Sequence, residues 1–130
     1  MKVRVHAVAA ALCALAGAPA HAQDYPNRSI RIILPFAAGA GTDSLARLLS
    51  QRFFAAWGQS APVDNRPGAG GNIGAEMVVK SPPDGYTLLM SSASMAVNVT
   101  LYPKLAFDLR RDLAPISQVA SAPEIGRAHV

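Results

Sequence analysis

The chain has 130 residues, a formal net charge of +4 and a hydrophobic share of 51%, which suits one domain with a modest core. Its positive side chains are dispersed rather than clustered, which argues against a nucleic-acid-binding surface built on a basic run. The one cysteine, Cys13, lies in the N-terminal apolar stretch, so the rest of the sequence offers neither a disulfide framework nor a cysteine-based metal site.

The N-terminus has the three parts of a secretory signal peptide. Positive residues come first, an apolar stretch covers residues 5–17, and an Ala-x-Ala sequence ends at Ala22. The apolar stretch is too short to span a membrane as a helix. The residue before Cys13 is Leu12, whereas a lipoprotein signal requires small residues there. We therefore predict that residues 1–22 are a signal peptide, cleaved after Ala22, and that the exported protein has no membrane anchor.

Strand-like and helix-like segments alternate after the leader. We predict strands at residues 29–34, 61–65, 86–90 and about 113–120, and helices at residues 43–57 and 72–79. Gly58 is placed to end the first helix, Asn72 to cap the second, and Phe53 and Trp57 to face the core. This order predicts an α/β fold with a mainly parallel sheet flanked by helices and right-handed crossovers.

Loops rich in small residues follow three of the predicted strands. They cover residues 36–42, 66–72 and 91–98. In a parallel sheet these loops meet beyond the carboxyl ends of the strands, where ligands bind. Small residues let a ligand approach the backbone, and the N–H groups at a helix start attract anions. The pattern favours an anion site that needs no lysine.

Common catalytic and cofactor motifs are missing from the sequence. Residues 39–44 nearly fit the dinucleotide pattern G-x-G-x-x-G/A but end in Ser44, and no Walker lysine is present. No G-x-S-x-G elbow occurs, and the only histidine after the leader is His129, so no Ser-His-acid triad can form. We predict that the protein is not an enzyme and binds neither cofactor nor metal.

Four stretches, in order, resemble the Bug-type receptors, the extracytoplasmic solute-binding proteins of tripartite tricarboxylate transporters. They are IILPFAAGAGTDSLARLL (32–49), NRPGAGGNIGAE (65–76), PPDGYTLL (82–89) and LYPK (101–104). The resemblance implies a two-lobed periplasmic-binding-protein fold that captures a small carboxylate in the periplasm. It also implies transient contact with membrane transporter subunits, and a monomer at full length.

The same resemblance implies which residues bind the ligand. In the family, backbone N–H groups and water hold a ligand carboxylate between two loops, and a further loop lines the rim. Carried over to this sequence, the implied residues are Phe36, Ala37, Gly39, Ala40, Gly41, Thr42 and Asp43 in the first loop, Gly70, Gly71 and Asn72 at the rim, and Ser91, Ser92, Ala93, Ser94 and Asn98 in the second loop.

Three polar residues each have two interpretations. Asp43 stands at a helix start where an anion is expected, and two carboxylates repel each other. Either its side chain caps the helix, turned away from the ligand, or it meets an ammonium group or a bridging water. Asn98 either binds ligand or caps a helix. Arg66 either pairs with a ligand carboxylate or holds its own loop.

The resemblance also divides the chain. Residues 23–123 correspond to the first part of one lobe, and the second lobe is missing. Residues 124–130 can be encoded by a common sequencing-adapter sequence, so we predict that they are a non-native tail. A chain that lacks the second lobe is expected to be a truncated receptor with weak or no activity. The alternatives are a periplasmic ligand sensor for signalling and an exported enzyme on the same fold.

Overall fold

The computed structural model describes residues 24–121, so the predicted signal peptide and the predicted tail lie outside the described part. Three strands form one parallel sheet: β1 (Arg31–Leu34), β2 (Val63–Asn65) and β3 (Thr87–Leu89). Their spatial order is β2-β1-β3. The helices are α1 (Gly41–Trp57), α2 (Asn72–Val79) and α3 (Ser94–Leu101), with a short 3₁₀ turn at Ala69–Gly71.

β1 is the central strand and the most buried element. Ile32, Ile33 and Leu34 are 1% exposed or less. Ile32 pairs with Val63 on one side and Leu88 on the other. A continuous apolar run buried on both faces is what a central parallel strand requires. The predicted α/β fold with a parallel sheet is therefore confirmed.

α1 follows β1 and packs against the sheet. It ends at Gly58 as predicted, where a φ of 68° lets the Gly58 N–H donate to the Phe54 carbonyl over 2.8 Å. Phe53 packs against the core cluster around Ile32, as predicted. Trp57 was wrongly placed in the core, because this last helical residue stacks on Phe53 with ring centroids 4.6 Å apart and stays 44% exposed.

α3 replaces most of the loop that the sequence predicted at residues 91–98. Met95 of α3 packs with Ala75 and Phe107 in a second core cluster, and this burial favours the helix over a loop. The prediction of a loop is therefore wrong from Ser94 onward. None of the helices within residues 24–121 is both long and apolar enough to cross a membrane.

The predicted fourth strand is absent from residues 113–120, which are in neither strand nor helix. Ile116 is 79% exposed and Val119 51% exposed. Pro115 has no N–H to donate to a ladder. The prediction of a strand from the apolar pattern of residues 113–120 is therefore wrong, because a strand also needs the edge of a neighbouring strand to pair with.

Candidate functional site

Three short segments follow the carboxyl ends of the strands: residues 35–40 after β1, 66–71 after β2 and 90–93 after β3. Because the strands are parallel, all three segments lie at one edge of the sheet. They contain nine of the predicted binding residues. The other six lie inside helices: Gly41, Thr42, Asp43, Asn72, Ser94 and Asn98.

Two long-range hydrogen bonds from side chains tie two of these segments to neighbouring elements. The Asn65 Nδ2 at the end of β2 donates to the Phe36 carbonyl over 3.1 Å. The Asn98 Nδ2 of α3 donates to the Gly70 carbonyl over 2.8 Å. The first segment is thus tied to β2, and the second segment to α3. Within residues 24–121, no hydrogen bond joins residues 90–93 directly to residues 35–40.

The start of α1 presents polar groups that have no protein partner among the described residues. The first backbone hydrogen bond of the helix runs from the Asp43 N–H to the Ala40 carbonyl over 2.9 Å, and the Gly41 and Thr42 amides make none. The Thr42 hydroxyl is buried and also lacks a hydrogen-bond partner there. Free amides at a helix start carry partial positive charge, so this end of α1 favours an anion.

Asp43 is buried at the same helix start, with 4% of the residue exposed. Its Oδ2 accepts from the Gly39 N–H over 3.0 Å and from the Arg47 Nε over 2.9 Å. Its Oδ1 accepts from the Asn65 Nδ2 over 3.0 Å. The Arg47 hydrogen bond, followed by those from Gly39 and Asn65, lowers the pKa of Asp43 to about 2. Asp43 is thus ionised at neutral pH, and its charge faces Arg47.

The rim segment depends on glycine geometry. Gly71 has a φ of 98°, and a Cβ there would lie 3.2 Å from the Pro35 Cβ and 3.3 Å from the Met95 Sδ. Gly71, and not Asn72, is the residue that precedes α2, so the predicted Asn72 cap is wrong. The Asn72 Oδ1 instead accepts from the Asn98 Nδ2 over 2.9 Å, which draws that side chain away from the helix start.

Asn98 lies inside α3 and does not cap it. The residue is 5% exposed, and its amide group donates to Gly70 and Asn72. A buried amide with two such partners holds the rim segment against α3. Neighbouring Ser91, Ser92 and Ala93 are exposed at the end of the sheet.

Arg66 pairs with Asp64 of the strand that it follows, β2. Its Nε donates to the Asp64 Oδ1 over 2.8 Å and its Nη2 to the Asp64 Oδ2 over 3.1 Å. Arg31 also contacts the Asp64 Oδ2. These two arginines, Arg66 first, lower the pKa of Asp64. Neither interpretation of Arg66 describes this contact, because among the described residues its guanidinium donates to a side-chain carboxylate and not to the backbone carbonyls of its loop.

Metal ligands do not cluster in the part of the chain that the structure describes. No group of three or more His, Cys, Asp or Glu side chains comes together there. The polar groups at the sheet edge are amides, hydroxyls and ion-paired carboxylates. This set can bind a small anion through hydrogen bonds.

Residues 45–126 match the family described as the tripartite tricarboxylate transporter family receptor, TctC. The match covers more than half of the chain, from α1 to beyond the last described residue. The chain belongs to the TctC receptor family. Because the members of this family are receptors for transport, the prediction that the protein is not an enzyme is confirmed.

Curated relatives of the chain in this family are considerably longer. Protein BugT of Bordetella pertussis is 44% identical over 124 residues, which cover 92% of this chain and 38% of BugT. A protein from Pseudomonas sp. strain P51 is 37% identical over 101 residues, covering 78% of this chain and 30% of the relative. The chain thus spans about a third of the length of these relatives, as the resemblance predicted.

Solved structures share the fold of this TctC receptor. MatC from Rhodopseudomonas palustris with bound malate is 36% identical, with a TM-score of 0.63 over 68% of this chain and 30% of MatC. An R. palustris protein with adipate is 43% identical, with a TM-score of 0.54 over 55% of this chain and 24% of its own length. A periplasmic transporter protein is 46% identical, with a TM-score of 0.61 over 65% of this chain and 29% of its own length.

Proposed function

We propose that this TctC receptor captures a small carboxylate in the periplasm and delivers it to a tripartite tricarboxylate-type membrane transporter. Two of its structural relatives have malate or adipate bound, and both ligands are dicarboxylates. Another structural relative is a periplasmic transporter protein. The proposed signal peptide, cleaved after Ala22, would bring the receptor to that compartment.

The observation that carries this proposal is the start of α1. Two amides, of Gly41 and Thr42, and the buried Thr42 hydroxyl have no protein acceptor or donor within residues 24–121. Buried polar groups are normally hydrogen-bonded, so an unpaired one needs an explanation. A ligand carboxylate that accepts from the two amides, and from the Thr42 hydroxyl once that side chain rotates toward it, supplies the explanation.

The exposed segments beside this helix start complete the proposed site. The backbone of Ala37 and Ala40 lines one side, since both residues are exposed at the edge of the sheet. The hydroxyl of the exposed Ser92, on the segment after β3, lies 2.9 Å from that of the half-buried Ser94, the first residue of α3. We assign the exposed Gly70 to the rim, where a small residue lets the ligand pass close to the backbone. Gly71 is buried against Pro35 and Met95, so it supports the rim without contacting the ligand.

Isothermal titration calorimetry on the product of the complete gene tests the proposal. Malate and adipate are the probes, and the corresponding diamides are the neutral controls. We expect the acids to bind and the diamides to fail, because the helix start attracts negative charge. Thr42→Val keeps the shape of the side chain and removes its hydroxyl, so it should weaken binding about tenfold.

Thr100→Val is the matched control, since Thr100 is an exposed residue of α3. It should leave the affinity for both acids unchanged. Equal binding of acids and diamides, or full affinity in Thr42→Val, would contradict the proposed site. Loss of carboxylate uptake on deletion of the gene distinguishes a transport receptor from a signalling sensor.

A further inference from the structure

Asp43 joins three parts of the molecule through a single carboxylate. Its carboxylate accepts from Gly39 in the first segment, from Arg47 one turn along α1 and from Asn65 at the end of β2, at 3.0, 2.9 and 3.0 Å. We call these four residues the Asp43 network. Gly39 and Arg47 are each 4 positions away from Asp43 in sequence, and Asn65 is 22 positions away. The network is therefore partly local and partly tertiary.

The network holds the first segment at two points. The Asn65 Nδ2 donates to the Phe36 carbonyl as well as to Asp43, at 3.1 and 3.0 Å. The Gly39 N–H, three residues further on, is held by the Asp43 Oδ2. Gly39 has a φ of 86°, which directs the chain into Ala40 and the start of α1. The path from Phe36 to Gly41 is therefore set by Asn65 and Asp43.

We infer that Asp43 is a positioning residue, which orients the Gly41 and Thr42 amides for the ligand carboxylate without touching the ligand. This inference rests on the function proposed above. It goes further by separating the residues that contact the ligand from the residue that holds them. Of the first interpretation of Asp43 it keeps only the side chain turned away from the ligand, because α1 has no side-chain cap and the carboxylate accepts from the Gly39 N–H instead.

Burial and charge both support a positioning role. The Asp43 side chain is 6% exposed, and each carboxylate oxygen already accepts at least one hydrogen bond. A ligand ammonium would have little access to it. The neighbouring Arg47 guanidinium offsets the negative charge of Asp43, so that charge opposes an anion at the helix start less strongly.

Two ligands with the same carbon skeleton test the inference. Malate carries a hydroxyl where aspartate carries an ammonium group. In Asp43→Asn, which keeps the side-chain volume but removes the charge, a positioning role predicts that the dissociation constants of both ligands rise by the same factor, about tenfold. A direct Asp43–ammonium contact predicts a loss for aspartate alone, and that result would overturn the inference.

Asp112→Asn is the matched control. Asp112 also pairs with an arginine, Arg111, over 2.7 Å and accepts from a backbone N–H, that of Asp108, over 2.8 Å. It lies far along the chain from the three segments of the site. Its substitution removes the same kind of carboxylate and should leave both dissociation constants unchanged.

A second measurement on ligand-free protein separates this inference from the proposed function. Backbone amide NMR should show faster hydrogen exchange at Gly39 and shifted Gly41 and Thr42 resonances in Asp43→Asn, with Ile32 and Ile33 of β1 unchanged. An unchanged Gly39 amide would overturn the positioning role even if malate binds. If the parent receptor binds neither acid while Gly39 responds as expected, the proposed function fails and the positioning of the segment stands.

Discussion

At the residue scale, Asp43 combines burial with ionisation. A carboxylate that is 4% exposed stays charged because Arg47, Gly39 and Asn65 donate hydrogen bonds to it. Such bonds stabilise the ionised form and oppose the effect of burial, which favours the neutral form. The result is a pKa of about 2, below the ordinary value of 3.8.

This lowered pKa predicts an acid-dependent loss of stability. The folded pKa lies below the unfolded one, so the stabilisation is fully present above about pH 4 and is lost as the pH falls toward about 2. Asp43→Asn removes this contribution. Urea unfolding between pH 5 and pH 2 should therefore show a shallower decline of the unfolding free energy in Asp43→Asn than in the parent protein.

Asp112 gives an internal comparison for that experiment, because Arg111 and the Asp108 amide also lower its pKa to about 2. Asp112→Asn should remove a separate part of the acid-dependent decline of the unfolding free energy. The effects of Asp43→Asn and Asp112→Asn should be additive, because the two carboxylates share no hydrogen-bond partner. A parent-like acid decline in Asp43→Asn would show that the network does not stabilise the ionised form.

The sequence holds a local signal for one part of the Asp43 network and none for the other. Asp43 and Arg47 are four positions apart on a predicted helix, a spacing at which opposite charges meet. This spacing is a local signal for the ion pair. Asn65 is 22 positions away and becomes a neighbour only through the pairing of β1 with β2. Local patterns carry no signal for such a contact.

At the element scale, sequence patterns predicted those elements that bury continuous apolar runs. β1 has such a run, and all three paired strands lie within the predicted ranges. α3 was missed because its apolar residues do not follow one face, since Val97 and Val99 are 54% and 52% exposed while Met95 is buried. The prediction of a strand at residues 113–120 was wrong for the opposite reason. That segment has an apolar pattern but no strand edge to pair with.

The packing of α2 on the end of β1 gives a prediction at this scale. A Cβ at Gly74 would lie 2.9 Å from the Pro35 Cβ and 3.2 Å from the Arg66 carbonyl oxygen. Alanine improves helix propensity by about 1 kcal/mol, but overpacking against a proline ring and a backbone oxygen costs about 1–3 kcal/mol. Gly74→Ala should therefore lower the unfolding free energy, measured by urea denaturation.

Gly41→Ala is the matched control on the other long helix. No heavy atom lies within 4 Å of a Cβ built at Gly41, and its φ is not positive. Alanine there should leave the protein equally stable or stabilise it by about 0.4–1 kcal/mol. If Gly74→Ala were more stable than the parent, α2 would have to sit further from Pro35 than the structure places it.

At the scale of the whole molecule, exposed apolar side chains are frequent in the last part of the described chain. They are Val97, Val99, Leu101, Tyr102, Ile116 and Val119, each at least 40% exposed. A groove of about 580 Å³ lies between α3 and residues 102–110, lined in part by Val99, Leu105 and Phe107. Exposed apolar side chains promote association between molecules where they form a patch.

Three identical substitutions test this surface. Val99 and Val119 are 52% and 51% exposed, whereas Val63 of β2 packs against the core around Ile32. Val99→Thr and Val119→Thr should reduce self-association in sedimentation velocity and change the unfolding free energy by less than about 0.5 kcal/mol. Val63→Thr should instead destabilise by about 1–3 kcal/mol, because it buries a hydroxyl. Equal destabilisation by all three substitutions would mean that Val99 and Val119 are packed in solution. Unchanged self-association in Val99→Thr and Val119→Thr would mean that these side chains do not drive the association.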